Sequence, residues 1–188
     1  MLTQASYFML DRIQLHDLSF VPFISKEQLQ ARITEIGQEL NEKYKDKNPV
    51  FLVMLKGAFV FAADIVRQFD GDAEVSFVRT QSYAGTKTTH VVKVIMGPVP
   101  TEVEGRHIVI IEDIVDSGNT MERFIPTLEA QNPKSISLVT LLFKPEMLEK
   151  EVKIDYIGFE IPPKFVVGYG LDYDGLGRNL PDIYQLEK

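Results

Sequence analysis

An apolar run that leads into three acids and a hydroxyl-rich turn is the most chemically suggestive part of the sequence. Residues 107–120 read HIVIIEDIVDSGNT, with Glu112 and Asp113 at the end of the run and Asp116 just before the turn. Four residues form that turn: Ser117, Gly118, Asn119 and Thr120. Glycine permits a tight turn, and hydroxyls beside the free N–H groups of a helix start suit a phosphate group. The pattern therefore predicts a monophosphate pocket.

The two adjacent carboxylates limit the class of ligand that the pocket is predicted to bind. Glu112 and Asp113 would repel a bare anion, but carboxylates accept hydrogen bonds from a ribose diol and help to hold a partly hydrated Mg²⁺. We therefore expect a phosphorylated sugar. The alternative is a strand whose polar end meets solvent, followed by a capped helix.

The elements that must position these residues alternate between helices and buried strands. Ser25 and Gln28 fit a capping box before a helix over residues 25–44, and further helices are predicted over 58–68 and 119–131, the last with a kink or early break at Pro126. Apolar runs at 49–55, 107–113, 135–143, 154–161 and 165–170 predict strands, and 74–80 with 91–97 predict an antiparallel pair. This alternation predicts an α/β fold with a mainly parallel central sheet flanked by helices.

Composition excludes several classes of function. The 188 residues suit one domain, and no cysteine is present, which excludes disulfides, thiol nucleophiles and cysteine-bound metals. The net charge of −7 argues against nucleic-acid partners and anionic membranes. The longest apolar run, residues 50–55, is far too short to span a membrane. We expect a soluble, cytoplasmic protein.

Five blocks of sequence resemble one enzyme family. IIEDIVDSGNT resembles the phosphoribosyl-pyrophosphate (PRPP) motif of type I phosphoribosyltransferases. LKGAF at 55–59 resembles the pyrophosphate loop of the hypoxanthine-guanine phosphoribosyltransferases, in which the Leu–Lys peptide is often cis, and QSY at 81–83 resembles the start of their mobile loop. LLFKPE at 141–146 resembles their purine-contacting segment, and FVVGYGLDY at 165–173 their base-stacking and metal segment. Their common order makes the resemblance specific.

The resemblance implies the type I phosphoribosyltransferase fold and a purine-salvage activity. The chain would form a single domain over 1–188, with a core of about 25–150 and a small hood, built from 1–24 and 151–188, at the carboxyl ends of the strands. A Mg²⁺-dependent pentosyltransferase of this family moves 5-phosphoribosyl from PRPP to hypoxanthine or guanine, which gives IMP or GMP and pyrophosphate. The family also implies a homodimer or homotetramer.

The resemblance also assigns roles to individual residues. Asp116 matches the general base. The residues that match the family's binding site for the 5′-phosphate and ribose of PRPP are Glu112, Asp113, Asp116, Ser117, Gly118, Asn119 and Thr120. Those that match its pyrophosphate-binding site are Leu55, Lys56, Gly57 and Arg178. The residues that match the family's purine-binding site are Lys144, Phe165, Val166 and Asp172. Ser82 and Tyr83 match residues of its lid, which would cover residues 81–90 here. Glu112, Asp113 and Asp172 match its metal-binding residues.

The sequence leaves two other functions open. One is a regulator that keeps the fold but binds RNA or DNA, and the acidic net charge counts against it. The other is an enzyme of the same class that prefers xanthine or another base. The sequence barely separates this enzyme from one that uses hypoxanthine or guanine, because a few side-chain shifts can change base preference.

Overall fold

In the described part of the chain the central sheet has six strands, each of which lies at one of the runs that predict strands. The structure is a computed structural model that describes residues 11–83 and 91–187, and of 81–83 and 91–94 the backbone alone. The strands are β3 (Val50–Leu55), β4 (Glu74–Tyr83), β5 (Val91–Met96), β6 (His107–Val115), β7 (Ser135–Phe143) and β8 (Tyr156–Glu160). Their order across the sheet is β5-β4-β3-β6-β7-β8. Strands β4, β3, β6, β7 and β8 are parallel to one another, and β5 is antiparallel to β4. The predicted fold class is confirmed.

Helices connect these strands and cover both faces of the sheet. They are α1 (Lys26–Tyr44), α2 (Phe59–Arg67), α3 (Pro100–Val103) and α4 (Asn119–Glu129), with a 3₁₀ helix at Pro145–Met147. The predicted capping box is present: the Gln28 N–H donates to Ser25 Oγ, and the Ser25 N–H donates to Gln28 Oε1. Helix α4 continues through Pro126 to Glu129, so an early break is wrong, while a kink, the other predicted effect of this proline, stays a prediction. Among the described residues, no helix has the length and apolar character needed to cross a membrane.

Successive residues of a buried strand pack on opposite faces of the sheet. Phe51 and Val53 lie in the cluster that contains the buried faces of α1 and α2. Leu52 and Met54 lie in the cluster that contains the buried face of α4. This two-residue period is what a strand buried on both sides requires. The central strands are thereby fixed, and their carboxyl ends are held at one edge.

A second, four-stranded antiparallel sheet draws its strands from both ends of the chain. It comprises β1 (Ile13–Leu15), β2 (Leu18–Ile24), β9 (Val166–Val167) and β10 (Ile183–Leu186) in the order β1-β2-β10-β9. The run over 165–170, predicted as a strand, contributes only β9 to this smaller sheet, because residues 168–170 leave the extended conformation. We propose this sheet as the main part of the hood, while the boundaries at 24/25 and 150/151 stay predictions.

Candidate active site

The turn after β6 forms a small polar cavity at the carboxyl end of the sheet. Gly118 has φ +81°, a left-handed conformation that favours glycine, and α4 begins at the next residue. A Cβ atom on Gly118 would lie 2.9 Å from the Lys150 carbonyl oxygen. The Asn119 side chain donates from Nδ2 to Ser117 Oγ at 2.9 Å. A cavity of about 80 Å³ is lined by Glu112 and residues 114–121. The predicted phosphate-binding residues therefore surround one concave surface at a helix start.

Glu112 and Asp113 are two half-buried carboxyl groups that lie close enough to affect each other's pKa. Glu112 Oε2 is inaccessible to solvent and has no hydrogen-bond partner within the described part of the chain. Burial, together with the neighbouring Asp113 carboxylate, raises the pKa of Glu112 well above its usual range. Burial also raises the pKa of Asp113, although hydrogen bonds from the Glu112 side chain and the Ile114 N–H oppose the shift. The pair therefore favours a cation or hydroxyl donors beside it.

The loop after β3 contacts this acidic pair through its backbone. The Leu55–Lys56 peptide is cis, as the resemblance implied, and the Lys56 side chain is exposed. A Cβ atom on Gly57 would lie 1.5 Å from Asp113 Oδ2. On the other side, a Cβ atom on Gly170 would lie 2.2 Å from the Gly57 carbonyl oxygen. Residue 57 therefore lies between the acidic pair and the segment 165–173, and both contacts require glycine.

A second cavity brings the predicted purine-binding residues together. It has a volume of about 210 Å³ and is lined by Ile114, Asp116, Lys144, Phe165, Val166, Leu171 and Asp172. The ammonium of Lys144 lies 3.0 Å from Asp116 Oδ2, and the Lys144 side chain is 11% exposed while that of Asp116 is 43% exposed. Phe165 is exposed on one side and packs edge-on against Tyr173, with ring centroids 5.8 Å apart. The cavity thus offers an aromatic face, a cationic donor and a carboxylate.

Arg178 connects the second cavity to the loop after β3. Its Nη2 lies 2.6 Å from Asp172 Oδ1, and its Nη1 donates to the Gly170 carbonyl oxygen at 2.6 Å. The Gly175 N–H donates to Asp172 Oδ2 at 2.8 Å.

Within residues 11–83 and 91–187, no three His, Cys, Asp or Glu side chains converge as a metal site. Asp172 therefore does not complete a three-residue cluster with Glu112 and Asp113.

Comparison with known proteins agrees with this geometry. Residues 25–174 match the model of the phosphoribosyl transferase domain. The chain is 42% identical over 168 residues to the hypoxanthine-guanine phosphoribosyltransferase of Bacillus subtilis, with 89% of this chain and 93% of that protein covered. The chain belongs to the hypoxanthine-guanine phosphoribosyltransferase family.

Two further relatives extend the likeness over most of the chain. The hypoxanthine phosphoribosyltransferase of Escherichia coli K12 is 41% identical over 163 residues, which cover 85% of this chain and 91% of that protein. A crystal structure of a hypoxanthine-guanine phosphoribosyltransferase from Bacillus anthracis superposes with a TM-score of 0.83 at 36% identity. It covers 88% of this chain and 98% of that chain. The family resemblance and the purine-salvage class are thereby confirmed.

Some predicted residues of this phosphoribosyltransferase lie outside what the structure describes, and others were not predicted. Ser82 and Tyr83 belong to β4, but their side chains and residues 84–90 are outside the described part, so the lid stays a prediction. Ile114 and Leu171 line the second cavity and were missed, because apolar residues of a buried run carry no chemical signal in sequence. Asn119, predicted as a PRPP-binding residue, also orients Ser117.

Proposed function

We propose that this protein transfers the 5-phosphoribosyl group of PRPP to hypoxanthine or guanine and so serves purine salvage. The observation that carries the proposal is the adjacency of the two cavities, which share Ile114 and Asp116 in their linings. One cavity suits a phosphate and the other suits a planar base. Relatives named hypoxanthine-guanine phosphoribosyltransferase or hypoxanthine phosphoribosyltransferase support the same activity.

The phosphate and ribose of PRPP would bind at the end of β6. The N–H groups and hydroxyls of residues 117–120 would bind the 5′-phosphate, because a helix start attracts anions. Glu112 and Asp113 would accept hydrogen bonds from the ribose hydroxyls. Glu112 Oε2, which has no partner in the described part of the chain, would gain one on binding. This gain would offset part of the cost of the buried carboxylate.

The pyrophosphate would lie between the loop after β3 and Arg178. Leu55, Lys56 and Gly57 would present backbone and ammonium donors, and Arg178 would bind phosphoryl oxygens with its planar guanidinium. Because Arg178 is paired with Asp172 in the free protein, its engagement with pyrophosphate would loosen that ion pair. Asp172 would then be available to a cation.

We propose Mg²⁺ as the cofactor, held by Glu112, Asp113 and Asp172 together with substrate oxygens. The residues fit this ion, because hard carboxylate oxygens are the ligands it prefers and Glu112 Oε2 has no hydrogen-bond partner in the described part of the chain. Bound Mg²⁺ would neutralise charge on the leaving pyrophosphate. Since the described protein residues alone form no three-residue cluster, we expect substrate and water to supply the remaining ligands.

The purine would occupy the second cavity with its ring against Phe165. Lys144 would donate to the 6-oxo group, and the backbone of Val166 and the carbonyl of Asp172 would contact the ring edge. As the bond from purine N9 to C1′ forms and the C1′–O bond to pyrophosphate breaks, the imidazole-ring proton would pass to the Asp116 carboxylate. General base catalysis of this kind contributes about 10²–10⁴-fold. We propose a lid that begins at Ser82 and Tyr83 and excludes water from this centre.

A panel of free bases tests the proposed function. Purified protein is incubated with PRPP, Mg²⁺ and hypoxanthine, guanine, xanthine or adenine, and pyrophosphate release is measured. We expect release with hypoxanthine or guanine and formation of IMP or GMP. Release with xanthine alone would indicate the alternative base preference. No release with any base, together with tight RNA or DNA binding at low salt, would indicate the regulator instead.

We also propose that the protein is a homodimer or homotetramer, as its family implies. Light scattering coupled to size-exclusion chromatography measures the mass directly against the 21.4 kDa chain. Phe77 is a suitable residue to change, because its large apolar side chain is 45% exposed on β4. We expect Phe77→Glu to lower the measured mass, and a monomeric wild-type protein would contradict the proposal.

A further inference from the structure

Asp64 is a buried carboxylate that the proposed reaction does not use. It lies on α2 and is 8% exposed. The Tyr169 hydroxyl and Gln30 Nε2 donate to its Oδ2, the latter at 2.9 Å, and Arg67 Nη2 donates to its Oδ1. Burial favours the neutral acid, but these three donors hold the pKa of Asp64 below its ordinary value. Asp64 is therefore an ionised, fully partnered anchor inside the protein.

Tyr169 occupies a backbone conformation that is unusual for a residue with a side chain. Gly168, Tyr169 and Gly170 have φ values of +100°, +49° and +100°, all in the left-handed region. The Tyr169 N–H donates to the Leu180 carbonyl oxygen at 2.8 Å, and its hydroxyl donates to Asp64. Tyr169 is 4% exposed. Both ends of this residue are thus fixed, which holds the backbone turn on which the next residue depends.

The next residue, Gly170, is where this turn meets the pyrophosphate side of the site. It is in close contact with the Gly57 carbonyl oxygen. Its N–H donates to the Arg178 carbonyl oxygen at 3.0 Å, and its own carbonyl accepts from the Arg178 guanidinium. Helix α2, which carries Asp64, begins two residues after Gly57. The bond from Tyr169 to Asp64 therefore closes a ring of contacts that includes Gly57 and Gly170.

We infer that Tyr169 and Asp64, which we call the Tyr169–Asp64 clasp, are positioning residues that set the distance between residues 56–57 and Arg178. This inference rests on the proposed function, in which those two groups hold pyrophosphate. Neither clasp residue lines the cavity that contains Lys144 and Phe165. The clasp acts on the pyrophosphate subsite through backbone contacts, so its loss should weaken binding of PRPP more than binding of the purine.

Two tyrosine variants separate positioning from general destabilisation. Tyr169→Phe removes one hydroxyl from the clasp. Tyr44→Phe is the matched control, because Tyr44 is 1% exposed and its hydroxyl lies 2.7 Å from Ser137 Oγ, near the start of β7 at the opposite edge of the sheet. Each variant loses one buried tyrosine hydrogen bond. Calorimetric titration with magnesium pyrophosphate should show about tenfold weaker binding for Tyr169→Phe and unchanged binding for Tyr44→Phe, since a small displacement of binding groups is costly.

Kinetics supply the second readout. For Tyr169→Phe we expect the KM for PRPP to rise about tenfold while the KM for hypoxanthine stays within twofold of wild type. Asp64→Asn keeps the shape of the carboxyl and should reproduce this split if Tyr169→Phe does not fold. Equal pyrophosphate affinity in wild type and Tyr169→Phe, or equal weakening in both tyrosine variants, would overturn the clasp, as would a wild type that binds no magnesium pyrophosphate. A wild type that binds it but transfers no phosphoribosyl group would refute the proposed function alone.

Discussion

The contact between Gly57 and Asp113 gives the sharpest prediction for the site. In Gly57→Ala the new Cβ atom would start 1.5 Å from Asp113 Oδ2 and 2.5 Å from its Cγ. Non-bonded heavy atoms settle at roughly 3.5 Å, so the two groups must separate by about 2 Å. The loop has little room to retreat, because Gly170 packs against the Gly57 carbonyl oxygen. Asp113 or the loop must therefore leave its position.

Such a displacement should reduce activity far more than stability. A misplacement of about 1 Å costs roughly 100-fold in rate, so we expect kcat/KM for PRPP to fall by at least about 100-fold. Overpacking costs about 1–3 kcal/mol, and at about 2–4 °C per kcal/mol for a chain of this size the Tm should fall by roughly 2–12 °C. Initial rates of pyrophosphate release at varied PRPP and a thermal melt measure both quantities.

Gly105→Ala is the control for this prediction. Gly105 lies before β6, at the edge of the sheet opposite the site, and a Cβ atom there meets nothing within 4 Å in the described part of the chain. Its φ of +68° makes alanine strained by about 1–2 kcal/mol, so Gly105→Ala should lower the Tm and leave kcat/KM within twofold of wild type. If Gly57→Ala keeps kcat/KM within threefold of wild type, the loop does not position PRPP as we reason.

Three further predictions concern single side chains. Asp116→Asn should lower turnover about 10²–10⁴-fold while PRPP still binds in a calorimetric titration, and near-normal turnover would reject its role as base. Lys144→Ala should raise the KM for hypoxanthine more than that for PRPP, whereas an equal rise in both would indicate structural damage. Because the pKa of Asp64 is lowered in the folded protein, its ionised form contributes stability above pH 3.8. Asp64→Asn should therefore lower the Tm at pH 7, by an amount that shrinks as the pH falls below 3.8, and a constant difference would contradict this reasoning.

The parts of the fold that depend on local pattern were predictable from sequence. The capping box of α1, the buried strands and the antiparallel β4–β5 pair each leave a signal within a few residues. The end of the strand predicted over 165–170 was not predictable in this way. Residues 168–170 leave the extended conformation because Tyr169 is anchored on α2 and both flanking glycines contact distant backbone. The contacts of Tyr169 with Asp64 and of Gly170 with Gly57 join positions more than 100 residues apart, and no local pattern reports them.

The same division applies to the candidate site. The turn after β6 is contiguous in sequence, so its acids, hydroxyls and glycine could be identified together. The pairing of Lys144 with Asp116 joins the ends of two adjacent parallel strands and follows only once the order β6-β7 is known. The approach of Gly57 to Asp113 involves a residue with no side chain. Sequence alone could identify that glycine through resemblance but could not say which group it touches.

The pairing of Lys144 with Asp116 has a consequence for the proposed chemistry. In the free protein the carboxylate of Asp116, the proposed general base, accepts a hydrogen bond at 3.0 Å from Lys144, the proposed donor to the 6-oxo group of the purine. A purine that binds between them must replace this ion pair with two separate hydrogen bonds, one from Lys144 to its oxygen and one from its ring nitrogen to Asp116. A base without a 6-oxo acceptor leaves the Lys144 ammonium, which is 11% exposed, without compensation. Binding of adenine therefore carries the cost of an unsatisfied buried charge, whereas binding of hypoxanthine does not. One ion pair can in this way select the purine.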